Sequence, residues 1–268
     1  MDRADVSLAD NHTHTARCGH AEGETVDYVE AALAAGLSAI AVTDHVPMFW
    51  LPEDQRDPHL AMALDDLPRY VDEVLALGDQ YRDRIDVRLG IEADFIPGHE
   101  EGLRRLLEPF PFDLVLGSVH WVDGWLMDGP RSIPRFQQGP DEVDRIWKAY
   151  AETLIRAARS GLFDILTHLD LPKKFGFRPS VPFAGRQADV VTAVAASGCA
   201  VELSSGGLRK PVGEAYPAPD LLRDLVAAGV PVVLSSDAHA PAEVGFRFDD
   251  LRDLLASARA ASQSRHCL

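Results

Sequence analysis

Leu114-Val-Leu-Gly-Ser-Val119 is a short apolar run that ends on His120. Its length and aliphatic content read as a strand. The same arrangement recurs along the chain. His12 and His14 close the first run, within Asn11-His12-Thr13-His14, and Asp44-His45 close Ser38-Ala-Ile-Ala-Val-Thr43. Glu92 follows Val87-Arg-Leu-Gly-Ile91, and His168 follows Phe163-Asp-Ile-Leu-Thr167. Asp237 and His239 follow Val230-Pro-Val-Val-Leu-Ser-Ser236. Chance would scatter such residues over both ends of strands and over helices. In a parallel α/β barrel the C-terminal strand ends meet at one rim, and the active site is built there. The pattern therefore predicts imidazoles and carboxylates gathered at one spot, the composition of a polynuclear metal site.

Helices are expected between these runs. The first covers 25–35 and is capped by Gly36; the second covers 64–84, with Leu67, Val71, Val74 and Leu75 on one face. Others are expected over 100–108, 141–160, 183–197, 219–228 and 249–261, with Gly161, Gly198 and Gly229 as stops. Strands alternating with helices imply a parallel sheet, here of seven repeats. Closed barrels usually have eight strands. The expected fold is therefore α/β, an irregular seven-stranded (β/α)7 TIM-like barrel whose closure is incomplete, with the metal site at the C-terminal rim. No linker divides the chain, so residues 1–268 are expected to form one domain.

The formal charge of −16 argues against a general affinity for long nucleic acid or anionic membrane. Bound divalent metals would make the rim more positive than that figure suggests. Cys18, Cys199 and Cys267 are too few and odd in number for a disulfide framework, and no apolar stretch reaches membrane-spanning length. With no basic-then-apolar leader at the N-terminus, the expected location is the cytoplasm.

Three long connections fall on the proposed rim, 47–63, 121–140 and 171–182. Connections of this length are usually lids or binding loops. They carry Phe49, Trp50, Trp121, Trp125 and Phe136, which either line a site or simply pack the loops down.

In an extended strand alternate residues face the same way, so the imidazoles of His12 and His14 can reach one metal. A lone pair of this kind is weak evidence. It gains weight from His20, His45, Glu92, His120, His168 and Asp237-Ala-His239. His59, His99 and His266 lie outside the pattern and read as surface residues. Imidazoles with carboxylates and no thiolates suit zinc, manganese or iron. Two such ions about 3.5–4 Å apart can share a hydroxide and clamp both ends of an in-line displacement at phosphorus. A Gly-x-Ser-x-Gly elbow and a Walker-type loop are both absent.

The order of motifs, HxH with Cys18-Gly-His20, Asp44-His45, Gly90-Ile-Glu92, Gly117-Ser-Val-His120, Thr167-His-Leu-Asp170 and Ser236-Asp-Ala-His239, resembles the polymerase and histidinol phosphatase (PHP) superfamily of metal-dependent phosphoesterases. More narrowly it resembles the stand-alone histidinol-phosphate phosphatases. The resemblance runs from about Asn11 to about Gly245. It implies three divalent ions. His12, His14, Glu92 and Asp237 would hold the first. Glu92, His120 and His168 would hold the second, with Glu92 bridging. His20, His45 and His239 would hold the third. Glu92, Asp237 and His239 would also act in catalysis. Ser204 departs from the amide side chain expected at that position in much of the family.

A dianionic phosphomonoester also needs cations from side chains. Arg209 and Lys210 follow the sixth strand through Gly206-Gly207, Lys173 and Lys174 follow the fifth, and Arg17 lies between His14 and His20. Each is a candidate phosphate contact or a solvated surface charge. Asp123 or Asp128 could receive a cationic amine, with Trp121 or Trp125 packing on the ring beside it. The expected activity is hydrolysis of L-histidinol phosphate to L-histidinol and phosphate by attack of a metal-bound hydroxide, a step of histidine biosynthesis. The alternatives are a phosphoesterase for a nucleotide or short oligonucleotide, and a non-catalytic metal-binding barrel.

Overall fold

The computed structural model describes residues 8–265. Seven parallel strands run in sequence order around the molecule: β1 (Ala9–Asp10), β2 (Ala39–Val42), β3 (Asp86–Asp94), β4 (Leu114–Ser118), β5 (Ile165–Leu166), β6 (Ala200–Ser204) and β7 (Val232–Ser235). Every neighbouring pair is parallel. Between them lie α1 (Thr25–Ala34), α2 (Leu67–Tyr81), α3 (Glu100–Leu107), α4 (Pro140–Arg159), α5 (Gln187–Ser197) and α6 (Pro219–Ala227), and α7 (Phe248–Arg265) closes the chain.

The barrel is irregular at two seams. Along β3 the partner changes: residues 86–89 pair with β2 and residues 90–94 pair with β4. Gly90 stands at the switch, where a Cβ would lie 2.6 Å from Thr43 and 3.1 Å from Leu114. A side chain there would force the strands apart. Closure between β1 and β7 is not a continuous ladder. It consists of a bridge from Thr13 to Ala238, the bond from Asn11 N–H to Leu234 O (3.3 Å) and the bond from His14 N–H to Ala238 O (2.8 Å). Asp10, fully buried beneath this seam, accepts from Ser236 N–H and Gly245 N–H at 2.9 Å each.

Apolar packing accounts for the layers. Ala41, Leu114, Leu116 and Ile165 form one small cluster, while the larger clusters join the sheet to the helices. The amphipathic face of α2 buries Leu67, Tyr70, Val71 and Val74. Leu75 is exposed, which corrects its place on that face. The helix expected from residue 183 begins instead at Gln187. Phe183 and Ala184 take positive φ (49° and 47°) within a separate turn, and that conformation stops a helix from propagating. No helix among the described residues is long and apolar enough to cross a membrane.

Candidate metal centre

Ladder geometry carries the ligand-type residues to one rim. β1, β2 and β7 end three residues or fewer before Asn11-His12, His45 and Asp237, while Glu92 and Asp94 are the last two inward-facing positions of β3. The bridges Thr13–Ala238 and His45–Glu92 extend the sheet past the ladders, so His12, His14, His45 and Glu92 arrive at the same depth. His168 and Asp237 have positive φ (24° and 53°). Such backbone is costly for non-glycine residues and persists where surrounding contacts hold it.

Glu92 is the centre of the arrangement. Its Oε2 lies 3.3 Å from His12 Nε2, 3.3 Å from His14 Nε2 and 3.0 Å from His45 Nδ1. Its Oε1 accepts from Ser118 Oγ and lies 3.0 Å from His168 Nε2 and 3.8 Å from His120 Nε2. Asp237 Oδ1 is 3.3 Å from His14 Nε2 and 3.8 Å from His12 Nε2, and those two nitrogens are 2.9 Å apart. Tetrahedral zinc, with bonds of about 2.0–2.2 Å, would set its ligand atoms about 3.3–3.6 Å from one another. Three distances within the set of His12, His14, Glu92 and Asp237, each 3.3 Å, match that spacing, while His12–His14 (2.9 Å) and His12–Asp237 (3.8 Å) lie to either side of it. Compact donor groups also form from His14, His45 and His239, and from His45, Glu92 and His120. His45 and His14 thus sit between the ion positions expected from sequence rather than wholly within one. His20 joins by ring packing, 5.3 Å from His45 and 5.1 Å from His239 between centroids.

Ring anchoring follows one rule at five positions. Nδ1 is held by the protein and Nε2 faces the site. His12 Nδ1 meets Glu202 Oε2 and His120 Nδ1 meets Asp94 Oδ1, both at 2.9 Å. His14 Nδ1 faces Cys18 Sγ at 3.4 Å, His20 Nδ1 meets the Cys18 and His59 carbonyls, and His239 Nδ1 meets the Asp237 carbonyl. Such outer contacts fix a metal ligand's tautomer and orientation.

The electrostatics keep many of these groups in ligand form. Burial alone would raise the carboxyl pKa of Glu92 and of Asp237, but the neighbouring imidazoles overcome it and hold both well below the usual carboxylate range. Burial, reinforced by His45 and His239, lowers His14 and takes His20 down to about 4, leaving neutral rings. His12 behaves oppositely. Burial opposes its charge, yet Glu92, Glu202 and Asp237 raise it well above the ordinary value. A cation would take the place of that proton.

Residues 10–205 match the model of the PHP domain. The chain belongs to the PHP domain family. A Deinococcus radiodurans protein named "Probable histidinol-phosphatase" is 46% identical over 247 residues, 91% of each chain. The histidinol-phosphatase of Bacillus subtilis is 27% identical over 90% of this chain and 96% of its own. The crystal structure of histidinol phosphate phosphatase from Lactococcus lactis, complexed with zinc, L-histidinol and phosphate, shares the fold with a TM-score of 0.78, at 22% identity and 94% coverage of both chains.

Above the cluster of ligand-type residues lies a cavity of about 350 Å³. Its wall includes Trp121, Asp128, Lys174, Lys210 and Tyr216. Lys174 Nζ and Asp128 Oδ2 are 2.9 Å apart. Burial would raise the Asp128 carboxyl, but Lys174 and His120 lower it, so it stays ionised.

Four expected substrate contacts do not reach this cavity. Lys173 is fully buried, with Nζ on Asp170 (2.8 Å) and the Ala215 carbonyl (2.7 Å). Arg17 turns away to Asp66 and Glu73. Asp123 is the exposed turn of a hairpin pairing Trp121–Val122 with Trp125–Leu126, and it borders a different cavity. Arg209 grips Ser236 O (2.9 Å), Asp237 O (2.8 Å) and Glu243 (3.1 Å). Trp125 packs under Arg135 at 4.3 Å, and Trp50 meets Trp121 edge-on. His59 and His99 are exposed, as expected; His266 and Cys267 lie outside the described residues.

Three site residues escaped the sequence reading: Glu202, Asp94 and the anchoring role of Asp44, which accepts from Thr15 N–H (2.7 Å) and Cys18 Sγ (2.8 Å). A glutamate inside the apolar run Ala200–Ser204, and an aspartate two residues beyond Glu92 on the same face, were the available signals.

Proposed function

We propose that this chain is a metal-dependent phosphomonoesterase that hydrolyses L-histidinol phosphate to L-histidinol and phosphate. The observation that carries the reading is the convergence of ligand-type residues from six strand ends on one cavity that also presents Lys174 and Asp128. The 46% identity to the Deinococcus protein narrows the substrate. We assign three divalent ions, zinc, manganese or iron, to the nine residues His12, His14, His20, His45, Glu92, His120, His168, Asp237 and His239. When bound, these ions supply a water-derived nucleophile at neutral pH and offset phosphoryl charge.

The chain's own residues do the rest. Lys174 and Lys210 offer point charges to the phosphate. Asp128, kept ionised, takes the substrate ammonium, and Trp121 gives a wall for its imidazole. Histidinol phosphate thus presents an opposite charge to each member of the Lys174–Asp128 pair. The whole chain is taken as one catalytic unit acting on a small molecule. The buried free thiols Cys18 and Cys199 suit a reducing cytoplasm.

The test is a substrate panel of histidinol phosphate, nucleoside monophosphates, a dinucleotide and an aryl phosphate, each with added zinc, added manganese or chelator. Histidinol phosphate should exceed every other substrate in kcat/KM by orders of magnitude, and only with metal. A nucleotide cleaved faster would leave the family and remove the substrate. Turnover unaffected by chelator would remove the metal mechanism.

A further inference from the structure

We propose that Glu202 is a positioning residue for the candidate metal centre, one carboxylate that aims the Nε2 atoms of both His12 and His168 at Glu92. The inference rests on the metal-site reading above and adds a residue to it. Glu202 lies in the middle of β6, fully buried, between the core residues Val201 and Leu203. Its register partner on β7 is Val233. Elsewhere in the barrel interior such positions hold Ala41, Leu114, Leu116 and Ile165. A carboxylate in that layer is costly unless its oxygens are satisfied.

Both oxygens are used, each on a different strand end. Oε2 meets His12 Nδ1 at 2.9 Å, and Oε1 accepts the His168 backbone N–H at 2.6 Å. The first contact puts the imidazole proton on Nδ1 of His12. With the second proton displaced by a cation, the lone pair is on Nε2, the atom that faces His14, Glu92 and Asp237. The second contact clamps His168 where its φ is 24°, a conformation unfavourable for a residue with a Cβ. That backbone directs the ring so that Nε2 reaches Glu92 at 3.0 Å. An apolar residue could fill the space but could do neither. Glu202 also differs from Asp94, which anchors only the ligand on the strand beside its own, His120. Glu202 spans from β6 to the ends of β1 and β5, across a sequence separation of 190 residues in one direction and 34 in the other.

The experiment compares wild type, Glu202→Gln and Glu202→Ala by zinc affinity in competition with a chelator, by the visible spectrum of the cobalt-substituted protein, and by melting of the metal-free protein. Gln keeps the volume and one acceptor but turns an amide N–H₂ toward the other partner. Loss of an outer-shell partner typically weakens metal binding about tenfold to a hundredfold. Expected results are a drop of that size in Glu202→Gln with an altered cobalt spectrum and little change in metal-free melting, and a larger drop in Glu202→Ala. Unchanged affinity and spectrum in Glu202→Gln would overturn the proposal. So would an affinity loss that appears only together with an equal loss of metal-free stability, since that marks a packing role. Wild type that binds no zinc or cobalt would overturn the metal reading itself, and this one with it.

Discussion

Glu92 holds the site together because its two oxygens serve different neighbours, His12, His14 and His45 on one side and His120 and His168 on the other. Glu92→Ala should therefore strip ions from both sides and abolish turnover while the barrel stays folded. Elemental analysis alongside circular dichroism checks this, and full metal content in the folded variant would count against the bridging role. Arg209 requires a different expectation from the one its sequence position suggests. Its guanidinium bonds the Ser236 and Asp237 carbonyls, supporting the positive φ of Asp237, and does not line the cavity. Arg209→Ala should lower stability by about 1–3 kcal/mol, the usual result of leaving buried acceptors unpaired, and should weaken metal retention. A pure rise in KM for phosphomonoester, with melting and metal content intact, would restore the substrate-contact reading. The nine ligand-type residues were legible because strand ends are a local property of sequence. The fate of each cation was not. Lys173 and Lys174 are adjacent, yet one is sealed against Asp170 and the other stands in the cavity wall.

At the scale of elements, the hairpin of Trp121–Val122 and Trp125–Leu126 forms part of the cavity wall through Trp121 and Leu126. Asp123 and Gly124 both have positive φ (51° and 74°), as a two-residue type I′ turn requires. Asp-Gly flanked by apolar residues is the sequence signal for that turn, and it gives Asp123 a conformational role in place of a ligand-binding one. The hairpin sets Trp121 and the following Asp128 against the cavity. Replacing residues 122–125 by a shorter turn should reduce kcat/KM for histidinol phosphate at least about tenfold, since misplaced contacts to the remote end of a substrate cost positioning energy. Slow hydrolysis of an aryl phosphate should persist in the same variant. Parallel loss of both activities would mean that the hairpin supports the metal centre. Most helices were legible from their glycine stops: Gly36, Gly161, Gly198 and Gly229 all adopt positive φ. The start of α5 was hidden, because nothing in the types of Phe183 and Ala184 announces a left-handed turn.

For the molecule as a whole, the candidate metal centre coincides with the closure of the barrel, since β1 and β7 meet through the segments that carry His12, His14 and Asp237. Chelation should lower the melting temperature, and saturating zinc should restore it; binding to the native state alone is worth about 4 kcal/mol at a thousandfold excess over Kd. The metal-free protein should also lose stability with rising pH. Burial disfavours a charged His120, but Asp94 and then Glu92 push its pKa up to about 10, above the roughly 6.5 of an unfolded histidine. The stabilisation is complete below about pH 6.5 and disappears as pH climbs toward about 10. Melting of chelated protein across that range should fall, and Asp94→Asn should flatten the slope; identical slopes would dissociate the pair from stability. The sequence by itself determined the seven-fold strand and helix alternation, the irregular barrel and the placing of imidazoles and carboxylates at its rim, because periodicity, glycine stops and strand ends are all encoded within a few residues. Only the tertiary structure decided that Glu202 and Asp94 hydrogen-bond His12 and His120, that Arg209 bonds the Asp237 carbonyl, and that Lys174 rather than Lys173 or Arg17 faces the cavity. Those outcomes depend on which charge lies within about 3 Å of which partner, and the partners are tens to hundreds of residues apart in the chain.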